Sequence, residues 1–310
     1  EMAIFNTKVK RNWAIVGILA LVVLPFFLQR DMVALITTVL IFAIGGIGLN
    51  LLTGYAGQIS LGQAFFMGVG AYTTAAMMKA GVPFIATIPV AAVLAGCLGV
   101  LVGIASLRVR HDFLAITTMG VVFLFVGIVR QQDFLGGEIG ISGIQASSFG
   151  RIGFMAFCLL LAAAFAVFSL VIKRSWMGFV FDSIADNEDV SRVLGIDVSK
   201  YKLIAFVVGT AAAGVAGSLY AQQFRFVGPD SFGFVESVSV LAMVIVGGIG
   251  SVWGVAVAAA GLSVMPLMIQ FVDDYKILVY SALLFSMMRW APDGLAGIVN
   301  RSVKRIRRRS

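Results

Sequence analysis

The run Met32–Met78, MVALITTVLIFAIGGIGLNLLTGYAGQISLGQAFFMGVGAYTTAAMM, holds 47 residues without one charged side chain. As a single helix it would extend about 70 Å, more than twice the ~30 Å hydrocarbon core of a bilayer. It must therefore break, and Gly54-Tyr55-Ala56-Gly57 supplies the turn residues. Two apolar segments result, near Val33–Leu52 and Leu61–Met78, each long enough to read as one crossing.

The same reading extends in both directions. Ala14–Leu28 follows Lys8, Lys10 and Arg11, the charge pattern of a signal peptide. No small-residue cleavage site comes after it and further apolar runs follow at once, so it is read as the first span. Pro83–Leu107, Phe113–Val129, Phe154–Ile172 and Leu203–Phe224 are single spans. Ser237–Val272 is again too long for one crossing and is divided at Gly247-Gly248-Ile249-Gly250. Ile277–Met288 begins the last span, which extends past Arg289 by snorkelling. The expected fold is all-α and integral to the membrane: one transmembrane domain over 1–310, with about ten helices, some broken at Gly-rich turns. Composition agrees. Hydrophobic residues make up 60% of the chain and charged residues 12%, about half the charge of a soluble domain. Mean hydropathy is +1.01.

Charge placement sets the orientation. Ten spans put both termini on one side. With the N-terminus cytoplasmic, 17 of the Lys and Arg residues fall on that side. Six fall on the other: Arg30, Lys79, Arg130, Arg151, Arg225 and Lys276. This asymmetry predicts cytoplasmic N- and C-termini, a cytoplasmic polar loop at about 173–202 and a basic cytoplasmic tail at 301–310. The tail carries Arg301, Lys304, Arg305, Arg307, Arg308 and Arg309, a large part of the net charge of +8. No aromatics interleave with them, so the charge is read as a topology signal and not as a nucleic-acid surface.

Chemistry is sparse. Cys97 and Cys158 both lie in apolar stretches and His111 is the single histidine, so neither a metal site nor a bound cofactor is expected. No Ser/His/Asp set and no paired carboxylates at membrane depth support a catalytic site, and the chain is not read as an enzyme. The charge-free cores contain no ionisable group, whereas proton- and ion-coupled carriers generally place one inside the bilayer. Energy for moving a solute is then expected from outside the chain. A stand-alone channel or secondary carrier is the competing class, since sodium can also be held by backbone carbonyls at broken helices.

The interior is polar at one place. Asn50, Thr53, Gln58, Ser60 and Gln63 cluster around the first glycine turn, with Gly45, Gly46 and Gly48 before it and Gly62, Gly68 and Gly70 after it. Irregular backbone at membrane depth is tolerated only where it is packed in protein or lines a wet cavity. The five residues are therefore candidates either for lining a translocation path or for cementing a helix crossing.

The loop Gly178–Asp197 reads as one or two short helices. Asp186 or Asn187 can serve as an N-cap, with Glu188 and Asp189 in the favoured acidic first turn. Val190, Val193 and Leu194 form one apolar face. Gly195 is placed as a left-handed stop, with Ile196 packing behind it. A helix of about eight residues is unstable alone in water, so its apolar face must rest on the rest of the protein or on a cytoplasmic partner.

Several stretches, taken in order, resemble one family. They are Gly48-Leu49-Asn50-Leu51-Leu52-Thr53-Gly54-Tyr55-Ala56-Gly57-Gln58-Ile59-Ser60-Leu61-Gly62-Gln63-Ala64, Gly136-Gly137-Glu138-Ile139-Gly140-Ile141-Ser142-Gly143-Ile144, Asp186–Ile196, Gly247–Gly254 and Pro292-Asp293-Gly294-Leu295. Together they resemble the branched-chain amino-acid ABC transporter permeases, M-type subunit, over about residues 45 to 297. The resemblance implies a multi-pass protein of the bacterial inner membrane, surrounded by membrane lipid. It also implies a heterodimer with a second homologous permease, two cytoplasmic ATP-binding subunits and a periplasmic substrate-binding protein. It assigns Asp186, Asn187, Glu188, Asp189, Arg192, Val193, Leu194 and Gly195 to docking against an ATPase. Importer permeases often show Glu-Ala-Ala, three residues, then Gly in this loop; here Asp189-Val190-Ser191 precedes Gly195 at the same spacing. Relatives carry Leu, Ile and Val, other amino acids, urea or small aromatic acids. The spans offer no fixed charge for a zwitterion, which suits a permease whose specificity lies mainly in its binding protein.

Overall fold

A computed structural model describes residues 30–107, 111–146, 149–269, 272, 274–291 and 294–297. The expected first span Ala14–Leu28 and the tail 301–310 lie outside the described residues. The long uncharged run breaks at its turn residues. Helix α1 (Arg30–Asn50) ends in a π-turn (Leu51–Tyr55), the chain is irregular from 56 to 62, and α2 (Gln63–Lys79) restarts it. Then come α3 (Phe84–Leu107), α4 (His111–Gln131), α5 (Gly150–Arg174), α6 (Trp176–Asp186), α7 (Glu188–Val193), α8 (Val198–Phe224), α9 (Phe234–Gly247), α10 (Val252–Met268) and α11 (Lys276–Trp290). A two-residue ladder pairs β1 (Ile141–Ser142) with β2 (Phe226–Val227), antiparallel, with Ile141 opposite Val227.

The described chain is a helical bundle. Six stretches in it are long and apolar enough to cross a membrane: Asp31–Tyr55, Phe84–Ala105, Leu114–Gln131, Gly150–Arg174, Val198–Phe224 and Pro229–Gly247. Helix α2 has 17 residues and α11 has 15, and the apolar part of α10 is Val252–Pro266. Two helices start earlier than their uncharged runs. Helix α8 begins at Val198 and takes in Lys200 and Lys202, and α9 begins at Phe234 and takes in Glu236. A charge-free run marks the apolar core of a helix, while backbone hydrogen bonding carries the helix into the polar flanks.

Small residues decide which helices are central. The stretch Gly209–Ser218, GTAAAGVAGS, lets the backbone of α8 approach its neighbours. A methyl group at Gly48 of α1 would stand 2.8 Å from the Gly209 carbonyl oxygen, and one at Gly209 would stand 2.7 Å from that of Gly48. On the next turns, Gly214 faces Gly70 of α2, and Gly217 faces the Met67 carbonyl. Accordingly α1, α8 and α9 are each about 67% buried across their apolar windows, against 28% for α3, α4 and α5. The first group forms the interior and the second presents its apolar side chains outward.

The bundle has two distinguishable ends. At one, Arg130 pairs with Asp230 at 2.6 Å, and the β1–β2 ladder ties the Gly-rich loop to the chain after α8. In that loop Gly136, Gly137, Gly140 and Gly143 all have positive φ, and a side chain on Gly140 would collide with the Val227 carbonyl. At the opposite end the first glycine turn meets Gly250 and the α6 residue Ala185.

Candidate functional site

Two features gather the polar chemistry of the described residues. The first is the break between α1 and α2. A helix interruption frees backbone donors and acceptors that no water in a bilayer core can satisfy, and here side chains take up part of that role. Asn50 Oδ1 accepts the Gly250 amide at 2.8 Å. The Thr53 hydroxyl donates to the Gln58 carbonyl at 3.0 Å, and the Gln58 amide donates to the Leu52 carbonyl at 3.2 Å. Ser60 Oγ accepts from the Gly62 amide, and Thr118 Oγ1 on α4 accepts from the Leu61 amide. Gln63 Nε2 reaches back to the Gly45 carbonyl at 2.9 Å, and the Ala64 amide donates to Ser237 Oγ on α9. All five candidate residues, Asn50, Thr53, Gln58, Ser60 and Gln63, are buried within the chain. The structure brings them together in one continuous seam linking α1, α2, α4, α9 and the second glycine turn.

Asn50 determines why Gly54 is glycine. A side chain at Gly54 would occupy the space of Asn50 Oδ1 and stand 2.6 Å from the Gly250 nitrogen. Gly57, at φ +66°, completes the turn in the left-handed region.

Lys173 at the end of α5 reinforces the seam. Its Nζ donates to the Gly250 carbonyl at 2.6 Å and lies 5.2 Å from the centre of the Tyr55 ring. The Tyr55 and Ser169 hydroxyls are 3.0 Å apart. In the sequence Lys173 reads only as a topology charge. The signal that it does more is weak: a lysine one turn after Ser169, beside a Gly-rich partner that is distant in the chain.

The second feature is the elbow formed by α6 and α7. Asn187 is the N-cap: its Oδ1 accepts from the amides of Asp189 and Val190 at 3.0 and 3.1 Å. Gly195 ends the element at φ +82°, and Ile196 packs with Val180, Ile184, Val198 and Tyr201 in a small apolar cluster. Ser183 and Ser191 place their hydroxyls 2.8 Å apart, joining α6 to α7. Glu188 forms a largely buried ion pair with Lys202 in the first turns of α8, and Arg192 lies 3.6 Å from Glu188 and 3.5 Å from Asp189. The elbow is thus attached to the central helix through its acidic first turn.

The apolar face of α7 behaves otherwise. Val193 is 87% exposed and Leu194 71%, with Val190 also exposed. Of the two possible supports for that face, the described residues of this chain supply none. Asp186, Asn187, Asp189, Arg192 and Gly195 are exposed around it.

The fixed charges are less remote than the sequence suggested. Glu236, in the first turn of α9, pairs with Lys276 of α11 at 2.9 Å beside a cavity of about 170 Å³ that also meets Thr38, Ser239, Ser263 and Tyr280. The expectation that the spans offer no fixed charge followed from cutting them at their charges, and α9 begins before that cut.

A bundle of helices long and apolar enough to cross a membrane, with a buried polar helix break and a bare apolar elbow at one end, has the features of a membrane transport component. Comparison with known proteins makes the class specific. Residues 32–288 match the family described as branched-chain amino acid transport system / permease component, and the chain belongs to that family. It is 33% identical to the high-affinity branched-chain amino acid transport system permease protein LivM of Escherichia coli K12, over 97% of this chain and 79% of the relative. It is 28% identical to LivH, a permease protein of the same named system in the same organism, over 43% of this chain and 44% of the relative. It is 26% identical to the autoinducer 2 import system permease protein LsrC of Escherichia coli O157:H7, over 92% of this chain and 83% of the relative. No solved structure matches the chain.

Proposed function

We propose that this chain is one of two homologous membrane subunits of an ABC importer for branched-chain amino acids in the bacterial inner membrane. The observation that carries the reading is the bare apolar tip of α7, Val193 and Leu194, on an elbow otherwise built into the protein. An apolar face held out in this way fits a groove of a partner, and an ATP-hydrolysing subunit is the partner whose work the chain needs. In this reading the elbow end and both termini are cytoplasmic, with about ten spans. Two cytoplasmic ATPases drive the cycle, and a periplasmic protein delivers the substrate to the other end. The likeness to both LivM and LivH, two permease proteins named for one system, supports pairing with a second, homologous permease.

The geometry supplies a route for the work. A push on Val193 and Leu194 moves α7, the Glu188–Lys202 pair carries the movement into α8, and α8 meets α1 and α2 backbone to backbone at Gly209, Gly214 and Gly217. Contacts between backbones have no flexible side chain to absorb a displacement. The segment from Asn50 to Gln63 then borders the translocation path, and its polar side chains exchange partners as the helices shift.

Co-purification and reconstitution test the reading. ATPase subunits should co-purify with this chain, and uptake of radiolabelled leucine in proteoliposomes should require ATP and the loaded binding protein. Uptake by the purified chain alone, driven by a solute or ion gradient, would instead establish a stand-alone channel or secondary carrier.

A further inference from the structure

At the end of the bundle opposite the elbow, α1, α5 and α8 enclose a cavity of about 480 Å³. Asp31 stands on the α1 wall, Arg151 on the α5 wall, and Arg225 directly after α8. All three are exposed, and among the described residues none has an ion-pair partner within 4 Å. Charges of both signs, unpaired around one cavity, are an arrangement that a ligand carrying both signs would complete.

One further observation points to a ligand. Gln222 lines the cavity at 5% exposure; its Nε2 donates to the Gln145 carbonyl at 3.3 Å, while its Oε1 accepts no hydrogen bond among the described residues. A buried amide oxygen without a donor is costly, and an incoming N–H would relieve it. Arg225 is the one non-glycine described residue with positive φ, at 53°. That conformation caps α8, whose last bond runs from the Arg225 amide to the Ala221 carbonyl at 2.9 Å, and it fixes where Arg225 leaves the helix.

The walls divide by chemistry. Arg151 and Arg225, with the positive end of the 25-residue helix α5, attract a carboxylate. Asp31, Gln222 Oε1 and the carbonyl end of α8 accept from an ammonium group. Val33, Ala34 and Phe154 supply apolar surface between them. We infer that this cavity receives the substrate before translocation, with Arg151 and Arg225 at its carboxylate and Asp31 at its ammonium group. The inference rests on the importer reading and adds a site to it: the fixed charges for the substrate stand at the ends of the spans.

The test uses the intact importer in nanodiscs without its binding protein, so that only the membrane and ATPase subunits can hold the probe, radiolabelled L-leucine. Saturable leucine binding is expected. Leucinamide, which lacks the carboxylate, and 4-methylpentanoate, which lacks the ammonium, should compete at least about ten-fold less well than leucine. The double variant Arg151→Gln/Arg225→Asn should weaken leucine at least about ten-fold and erase its advantage over leucinamide; Asn is chosen because it tolerates positive φ. Asp31→Asn should erase the advantage over 4-methylpentanoate. Ala34→Trp, which fills the cavity, should abolish binding while the chain stays monodisperse. An importer that takes up leucine with its binding protein, yet shows no saturable binding without it, overturns the inference and leaves the importer reading standing. Binding unchanged in both the arginine double variant and Ala34→Trp also overturns it. Displacement of a bound lipid by phosphoethanolamine but not by leucine would assign the cavity to a lipid headgroup and likewise overturn it. Failure of the importer reading is separate: it shows as no leucine, isoleucine or valine uptake with the binding protein present.

Discussion

Asn50 and Gly250, 200 positions apart in the chain, meet through one buried hydrogen bond of 2.8 Å from the Gly250 amide to Asn50 Oδ1. It joins the first glycine turn to the second, and Lys173 closes the same junction from α5. Replacing Asn50 with Ala would leave the Gly250 amide buried without an acceptor, at a cost of about 1–3 kcal/mol. Thermal unfolding followed by size-exclusion in detergent should show a clearly lowered transition for Asn50→Ala. An unchanged transition would mean that the junction contributes nothing to the fold.

The close approach of α1 and α8 predicts a contrast between glycines. Gly209→Val adds bulk where even a methyl group would stand 2.7 Å from the Gly48 carbonyl oxygen, whereas a methyl at Gly120 meets nothing within 4 Å. Overpacking of this kind costs about 1–3 kcal/mol or more, so Gly209→Val should destabilise or prevent folding. Gly120→Ala should match the parent in yield and melting. Equal behaviour of the two variants would remove the argument for backbone-to-backbone packing.

The Glu188–Lys202 pair is largely buried, with side-chain exposures of 14% and 6%. Breaking a buried pair from one side typically costs about 3–5 kcal/mol when it strands the other charge, and removing both charges costs much less; here the exposed Arg192, 3.6 Å from Glu188, offsets part of that cost. Lys202→Met should therefore lower the melting temperature more than Lys202→Met/Glu188→Leu. A double variant less stable than the single one would show that the pair is not the main tie between elbow and α8.

Val193→Asp and Leu194→Asp alter exposed positions and should leave stability within about 0.5 kcal/mol of the parent. Under the importer reading the same variants should reduce ATPase stimulation by the loaded binding protein at least about ten-fold, because a carboxylate would be forced into an apolar groove. Full stimulation in both would place the docking surface elsewhere.

Much of the elbow was legible because its signals are local. Asn187 at the cap, the acidic first turn and Gly195 at positive φ all act within a few residues of one another. The breaks were equally legible, since length forces them and glycine marks them. The hydrogen-bond partners of the polar cluster from Asn50 to Gln63 were not. Asn50 meets Gly250 and Gln63 meets Gly45, while the adjoining amides of Leu61 and Ala64 meet Thr118 and Ser237; these partners are scattered along the chain, and no periodicity connects them. The run Gly209–Ser218 could have identified the central helix, because small residues at successive turns are the requirement for close backbone approach. The cavity between Asp31, Arg151 and Arg225 had no sequence signature at all.

By itself the sequence determined an all-helical membrane bundle, the places where its helices stop and the shape of its elbow. Each of these follows from transfer free energy and backbone stereochemistry, which act along the chain. Tertiary structure alone decided that Val193 and Leu194 find no cover among the described residues, that Lys202 captures Glu188, and that Asp31, Arg151 and Arg225 ring one cavity. Those outcomes depend on which distant segments come to lie side by side, and electrostatics and burial act through space.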